Sequence, residues 1–374
     1  MTIDKHILNH FLSLLRAGLW ERSAGIPADV PLDFGAIFKL ADEQSVLGLV
    51  TAGLEHLEGR KVEKSALRDF LEAVVYLEKR NPSMDAFVAE LFRRLNGEGI
   101  QAVLVKGQGV AQCYERPHWR MSGDVDLLLD EENYQKAKAF LVPQAENVHE
   151  QPNDRLHLGM HIGPWSVELH GTLRTSMSAR VNEVIDSVQR DTLACYQVRY
   201  WRDCGIDIQL PEPTNDAIFI FTHFLNHFFV SGLGVRQVCD WCRLLWTFRE
   251  TIDTERLEGY VRQMGLVSEW KAFATYAVDY LGMPAEAMPL YDPAARWSRK
   301  ARRLNAFMLK TGNFGHNRGK GRLMKKYPYL VYKAIALGIH VGDFFRRLPI
   351  FPADACRMFW KTLVGGVGAV MEGK

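Results

Sequence analysis

Apolar residues recur at three- and four-residue spacing across 4–20: Ile7, Leu8, Phe11, Leu12, Leu14, Leu15 and Leu19. That spacing predicts a helix with one buried face. Residues 33–57 and 64–96 follow the same period. Pro82, just after Asn81, predicts a helix start there, because proline is favoured in a first turn. The period changes at Ile100. Ile100 to Val105 is a short apolar run ended by Lys106-Gly107, the signal of a strand entering a turn. "VAQCYE" predicts a short helix, "DVDLLLD" a second strand, and "EENYQKAKAFLVP" a helix with acids at its favourable end. "LHLGMHI" and "SVELHGTL" alternate in character across Gly163-Pro164, as strands with one buried face do. The helical period returns at 214, with Thr214 or Asn215 expected to cap "DAIFIFTHFLNHFFV". Gly232 and Gly234 then precede a further helix, "VRQVCDWCRLLWTFRE". Helical spacing persists to the end, with breaks near 284–293 and 311–321. The pattern predicts an α+β fold, a small mixed sheet set among helices. Along the chain it divides into a helical region 1–95, an α/β core 96–212 and a helical region 213–374.

Composition narrows the class. A chain of 374 residues can bury a large core. A net charge of +2 supplies no overall field for nucleic acid. Six scattered cysteines do not form a disulfide framework, so a reducing compartment is expected. Cys239 and Cys242 stand in a helical pattern without a second pair at zinc-site spacing, which favours core packing. The first twenty residues lack the basic and apolar regions of a secretory leader. No run of about 18 apolar residues occurs, so no membrane span is expected and the cytoplasm follows.

The chemistry gathers where the strands do. Asp124 and Asp126 lie two apart on a strand and share a face. Two ionised carboxylates held together need a cation. Oxygen ligands suit Mg2+ or Mn2+. Glu168, on the strand "SVELHG", completes a three-carboxylate cluster if the two strands are neighbours. Such a cluster suits two ions and phosphoryl or nucleotidyl transfer. Upstream, Lys106 and the amides near Gly107 and Gly109 are placed to meet phosphate oxygens, although the Gly-rich P-loop order is absent.

The run "VLVKGQGVAQCYERPHWRMSGDVDLLL", followed by "SVELHG", resembles the nucleotidyltransferase fold of the DNA polymerase β-like superfamily. It is most similar to a bacterial nucleotidyltransferase family with a Lys-Gly turn. Tyr114, Arg120, Gly123, Asp124, Asp126, Glu168 and His170 fill the family positions, and the likeness spans about 95–175. The resemblance implies a nucleotidyltransferase core between helical regions, and metal-dependent transfer of an NMP. It implies Asp124, Asp126 and Glu168 as catalytic and metal-binding residues, and Lys106, Gly107, Gln108, Arg120 and Gly123 as nucleotide-binding. Gln108 stands where the wider superfamily usually has Ser or Gly, so Lys106 or Arg120 takes over that phosphate contact.

Beyond the core, His223 and His227 share a helix face, and core packing or a nucleotide-base contact is favoured over zinc. Arg236 and Asp240 are spaced to pair across a turn of the next helix. His157 and His161 alternate on a strand near Glu168. Between Pro293 and Gly342 there is no acidic residue and there are twelve basic ones. Within the segment 296–326, Arg318, Lys320 and Arg322 occupy a Gly-rich loop suited to an anion. This segment and the aromatics after it suit a polyanion or a membrane surface. The expected activity is attack of a hydroxyl or phosphate acceptor on the α-phosphate of an NTP, ATP first. The acceptor is a small molecule held by the helical regions before 95 and after 214, with His170, His223, His227, Arg236 and Asp240 as further contacts. Two rivals remain: modification of a protein or RNA docked on the basic segment, and a nucleotide-binding module without turnover. Steep salt dependence would mark a polyanion.

Overall fold

Helices open the chain. The computed structural model describes residues 4–59, 62–150, 156–195, 197–318, 326 and 328–371. Helix α1 (Lys5–Trp20) starts at Asp4, whose carboxylate accepts from the His6 amide at 2.7 Å. The helical pattern of 33–57 divides into α2 (Phe34–Glu43) and α3 (Leu47–Glu55), because Ser45 adopts φ 57° and breaks the ladder. Helices α1 and α3 cross with almost no gap. A Cβ on Gly18 would meet the Leu49 carbonyl oxygen at 1.8 Å, and one on Gly53 would meet that of Leu14 at 1.9 Å. Helix α4 (Lys64–Gly97) runs through Pro82 instead of starting there. Proline costs a helix interior about 3 kcal/mol. Burial of Leu77, Met84 and Val88 along one face outweighs that, at roughly 1.5–3 kcal/mol each.

The sheet follows. Strand β1 (Val103–Val105), the short helix α5 (Gly107–Ala111), β2 (Val125–Leu128), α6 (Glu131–Leu141), β3 (Glu146–Glu150), β4 (His157–Ile162) and β5 (Trp165–His170) form its unit. The strand order is β1-β2-β5-β4-β3. Strands β2 and β5 run parallel, and the other pairs are antiparallel. The register sets Asp126 opposite Glu168 and Leu128 opposite His170. Across the next pair, His157 lies opposite His170 and Gly159 opposite Glu168. Asp126, Glu168, His170 and His157 therefore share one face. After it come α7 (Ala179–Ala194) and a hairpin, β6 (Val198–Asp203) and β7 (Ile206–Pro211). The sequence expectations contain none of β3, α7, β6 or β7. Strand β3 is exposed along its length and has no alternation to read. For α7 the signal exists: Ser178 caps it, and Val181, Val184, Ile185 and Val188 are its buried stripe.

Helices close the chain: α8 (Pro213–Val230), α9 (Val235–Thr247), α10 (Thr254–Met264), α11 (Val267–Leu281), α12 (Ala295–Thr311), α13 (Tyr329–Arg347) and α14 (Pro352–Met371). The cap of α8 is Glu212 and not Thr214 or Asn215, since its carboxylate accepts from both of those amides at 2.9 and 3.0 Å. Pro213 at the first helical position fixes that arrangement. Phe221, Phe224 and Phe228 of α8 pack edge-on or tilted against Trp241 and Phe273. Residues of α1–α3 and of α8–α12 share one apolar core, whereas α4 joins the sheet in a second. Cys239 and Cys242 are buried in the first, and burial pushes both thiols up. No helix among the described residues is long and apolar enough to cross a membrane.

Candidate active site

The turn after β1 sets the first functional group. Lys106 takes φ 60° and ψ −143°, a conformation that disfavours side chains by about 1–3 kcal/mol. It is held there because its ammonium reaches Asp126 Oδ1 at 2.9 Å. The same oxygen accepts from His170 Nε2 at 2.7 Å. Glu168 accepts from His157 Nε2 at 3.0 Å, and His170 Nε2 stands 3.5 Å from it. One carboxylate oxygen from each of Asp124, Asp126 and Glu168 lies within 4.8 Å of the others. They form the floor of a cavity of about 390 Å3.

Electrostatics separates the three acids. Asp124 is pushed up to about 6, first by the Asp126 charge and then by burial. Asp126 is buried, which alone would raise it, but Lys106 and the His170 hydrogen bond hold it far below the usual carboxylate range. Glu168 is lowered, chiefly by the hydrogen bond from His157. Burial lowers His170, His223 and His227, the last to about 4, so all three imidazoles are neutral near pH 7. A divalent cation fits this donor set. Three hard carboxylates converge, and the elevated Asp124 marks a negative excess that one ammonium does not cancel.

Helices α8 and α9 wall the cavity. His223 Nδ1 is 3.5 Å from the Lys106 ammonium, and its Nε2 is 3.1 Å from His227 Nε2. Neither histidine belongs to a metal-capable group among the described residues, and neither do Cys239 and Cys242. Arg236 and Asp240 do not pair as expected. Asp240 takes both arms of Arg120, at 2.7 and 2.8 Å, and the Tyr114 hydroxyl at 2.7 Å. Arg236 instead donates to the Met121 carbonyl at 2.6 Å, and its buried Nε has no partner in the structure. Arg120 and Arg236 both line the cavity, Arg120 held there by Asp240 and Arg236 by the Met121 carbonyl.

The remaining expected residues divide. Gly107 and Gly123 line the cavity. Gln108 and Gly109 are buried away from it, Gln108 beside Asp85 and Gly109 against Leu210. Arg318 ends the 3-10 stretch Asn313–Arg318, and Lys320 and Arg322 lie outside the described residues. Thr172, Arg174, Thr175, Asn226 and Gln237 also line the cavity and carry no spacing signal in the sequence. The first three lie just after β5, where a loop follows the acid-His motif. That position was the available clue.

The profile of a family described as "uncharacterised nucleotidyltransferase" matches residues 31–282, more than half of the chain. The chain belongs to this family. The match takes in the nucleotidyltransferase core, α4 behind it and the walls α8 and α9. A solved structure of an antigenic nucleotidyltransferase-like protein from Paracoccidioides brasiliensis shares 13% identity, over 53% of this chain and 92% of that one, with a TM-score of 0.32. No curated protein matches the chain.

Proposed function

We propose that this nucleotidyltransferase uses Mg2+ or Mn2+ to move an NMP from an NTP, ATP being the first to test, onto a hydroxyl or phosphate of a small acceptor. The observation carrying this reading is the convergence of Asp124, Asp126 and Glu168 on one cavity floor. Those three residues would hold the cation, which when bound neutralises charge on the phosphates and lowers the barrier to displacement. Glu168, kept ionised by His157, takes the proton of the acceptor hydroxyl. The acceptor oxygen bonds to the α-phosphorus, the bond between the α-phosphorus and the bridging oxygen breaks, and pyrophosphate leaves. Arg236 and the Gly107 turn contact the phosphates, and Arg120 holds the Met121–Gly123 loop in place through Asp240.

The cavity volume lies in the range of small-molecule sites. The acceptor would lie against α8 and α9. Among the described residues, the N-terminal helices, expected to share that role, contribute no lining residue. Helix α4 instead fixes the loop before β2. Asn81 donates to the His118 and Arg120 carbonyls at 2.6 and 2.8 Å, and Arg80 to those of Ser122 and Gly123 at 2.9 and 3.2 Å. A macromolecular acceptor on the basic segment draws no support from α12, whose residues do not line the cavity.

Incubation with α-labelled NTPs and a fractionated extract tests the reading. Label should enter the low-mass fraction with the wild-type protein and not with Asp124→Asn. That variant should melt no lower than wild type, because it relieves repulsion from Asp126. Wild-type transfer by Asp124→Asn would sink the carboxylate assignment, and label in protein or RNA would sink the small acceptor.

A further inference from the structure

The face that carries the three acids continues onto β4, and there the donors change from oxygen to nitrogen. His157 and His170 are opposed across the β4–β5 pair, and their rings lie 4.7 Å apart between centroids. His157 Nε2 lies 3.0 Å from Glu168 Oε2, and His170 Nε2 lies 3.5 Å from the same oxygen and 2.7 Å from Asp126 Oδ1, a hydrogen bond that an ion between the three would replace. Gly159, opposite Glu168, adds no side chain to this face, so the carboxylate can lean toward the histidines. Ligand atoms bonded at about 2.1 Å to one ion are separated by roughly 3.0 Å in octahedral and 3.4 Å in tetrahedral geometry. The observed spacings match those separations.

We propose a second cation position formed by His157 Nε2, His170 Nε2 and Glu168 Oε2, taking a first-row transition-metal dication, Co2+ or Zn2+ ahead of Mn2+, in preference to Mg2+. This deepens the proposed function by giving the two ions of the site different chemistry. Imidazole nitrogen suits the later first-row ions, whereas Mg2+ prefers an all-oxygen shell and retains its water. The Asp124–Asp126 side keeps oxygen donors only. Ligation through Nε2 puts the His157 proton on Nδ1, which is buried and has no partner in the structure, so this ligand lacks the usual outer hydrogen bond. A ligand without that support binds its ion less tightly. One Glu168 oxygen remains for the acceptor proton.

The test uses the whole 374-residue chain, stripped with chelator and loaded with two equivalents of Mn2+, in pulsed electron paramagnetic resonance. Directly bound imidazole gives 14N modulation, and carboxylates and water do not. The wild type should show it. Asp124→Asn should keep it, and His157→Gln should reduce it and weaken one of the two Mn2+ equivalents at least tenfold. Excess Mg2+ should displace the ion without nitrogen coupling first. Absence of 14N modulation in the wild type, unchanged modulation in His157→Gln, or equal displacement of both ions by Mg2+ would each overturn the proposal. The readout is independent of turnover. A protein that shows the coupling but transfers nothing counts against the proposed function alone, and an active protein without the coupling counts against this site alone.

Discussion

Asp124 and Asp126 stand two residues apart and answer to different neighbours. Asp126 is the partner of a buried ammonium and a buried imidazole, and Asp124 mainly feels Asp126. Their amide variants should therefore differ in stability. Asp126→Asn leaves Lys106 buried beside a neutral group and should cost about 3–5 kcal/mol in urea unfolding, the usual result of breaking a buried pair. Asp124→Asn should cost nothing, so equal losses would show that the two share one environment. Asp240→Asn should also cost about 3–5 kcal/mol, because it weakens the bidentate pair with buried Arg120. Tyr114→Phe removes one hydrogen bond to a charged group and should cost about 1.5–3 kcal/mol. The residue types of the site were legible in the motif. The partner of Arg120 was not, because Asp240 lies 120 positions away.

At the scale of elements, the site loop is held from both sides by helices of the N-terminal region. Helix α4 donates to it through Arg80 and Asn81. Helix α3 abuts it, since a Cβ on Gly48 would meet the Trp119 carbonyl oxygen at 1.9 Å. Helix α3 is in turn locked to α1 through Gly18 and Gly53. Gly53→Ala forces that contact apart and should destabilise the protein by about 1–3 kcal/mol, as overpacking does, visible as a lower Tm. A Tm unchanged within error would mean that α1 and α3 can separate freely. Helical periodicity revealed α1, α4, α8 and α9. It could not show that Pro82 stays inside α4, because the compensating burial comes from other segments. The hairpin β6–β7 left a usable trace, alternation of Ile206, Ile208 and Leu210 after the left-handed Cys204-Gly205 turn.

Across the whole molecule, the first and last helices close over one core, and α14 docks on it through acids. Glu269 of α11 is pushed up to about 8, by burial first and then by Asp354 of α14. Lys300 of α12 faces the pair and opposes the shift only weakly, and Arg357 pairs with Asp354 at 2.5 Å. The folded protein thus retains a proton that the unfolded chain releases near 4.5. Stability from this group is complete below about 4.5 and is lost as pH rises through about 8. Thermal melts from pH 5 to 9 should show Tm falling across that window, and Glu269→Gln should flatten the slope. A variant with the wild-type slope would assign the pH dependence to other groups.

The sequence by itself determined the α+β class, the strand that carries Asp126 (Asp124 lies just before it), the later strand that carries Glu168, and membership of a nucleotidyltransferase lineage by its motif. These are local properties: a period of two or of three to four, a turn residue, a run of a dozen side chains. Only the tertiary structure decided that β2 and β5 are parallel neighbours with Asp126 against Glu168. It alone brought His157 beside His170, gave Arg120 to Asp240, and set Arg236 in the cavity wall. Strand register and long-range ion pairing depend on which segments exclude water from one another, and that is a property of the packed chain and not of any window along it.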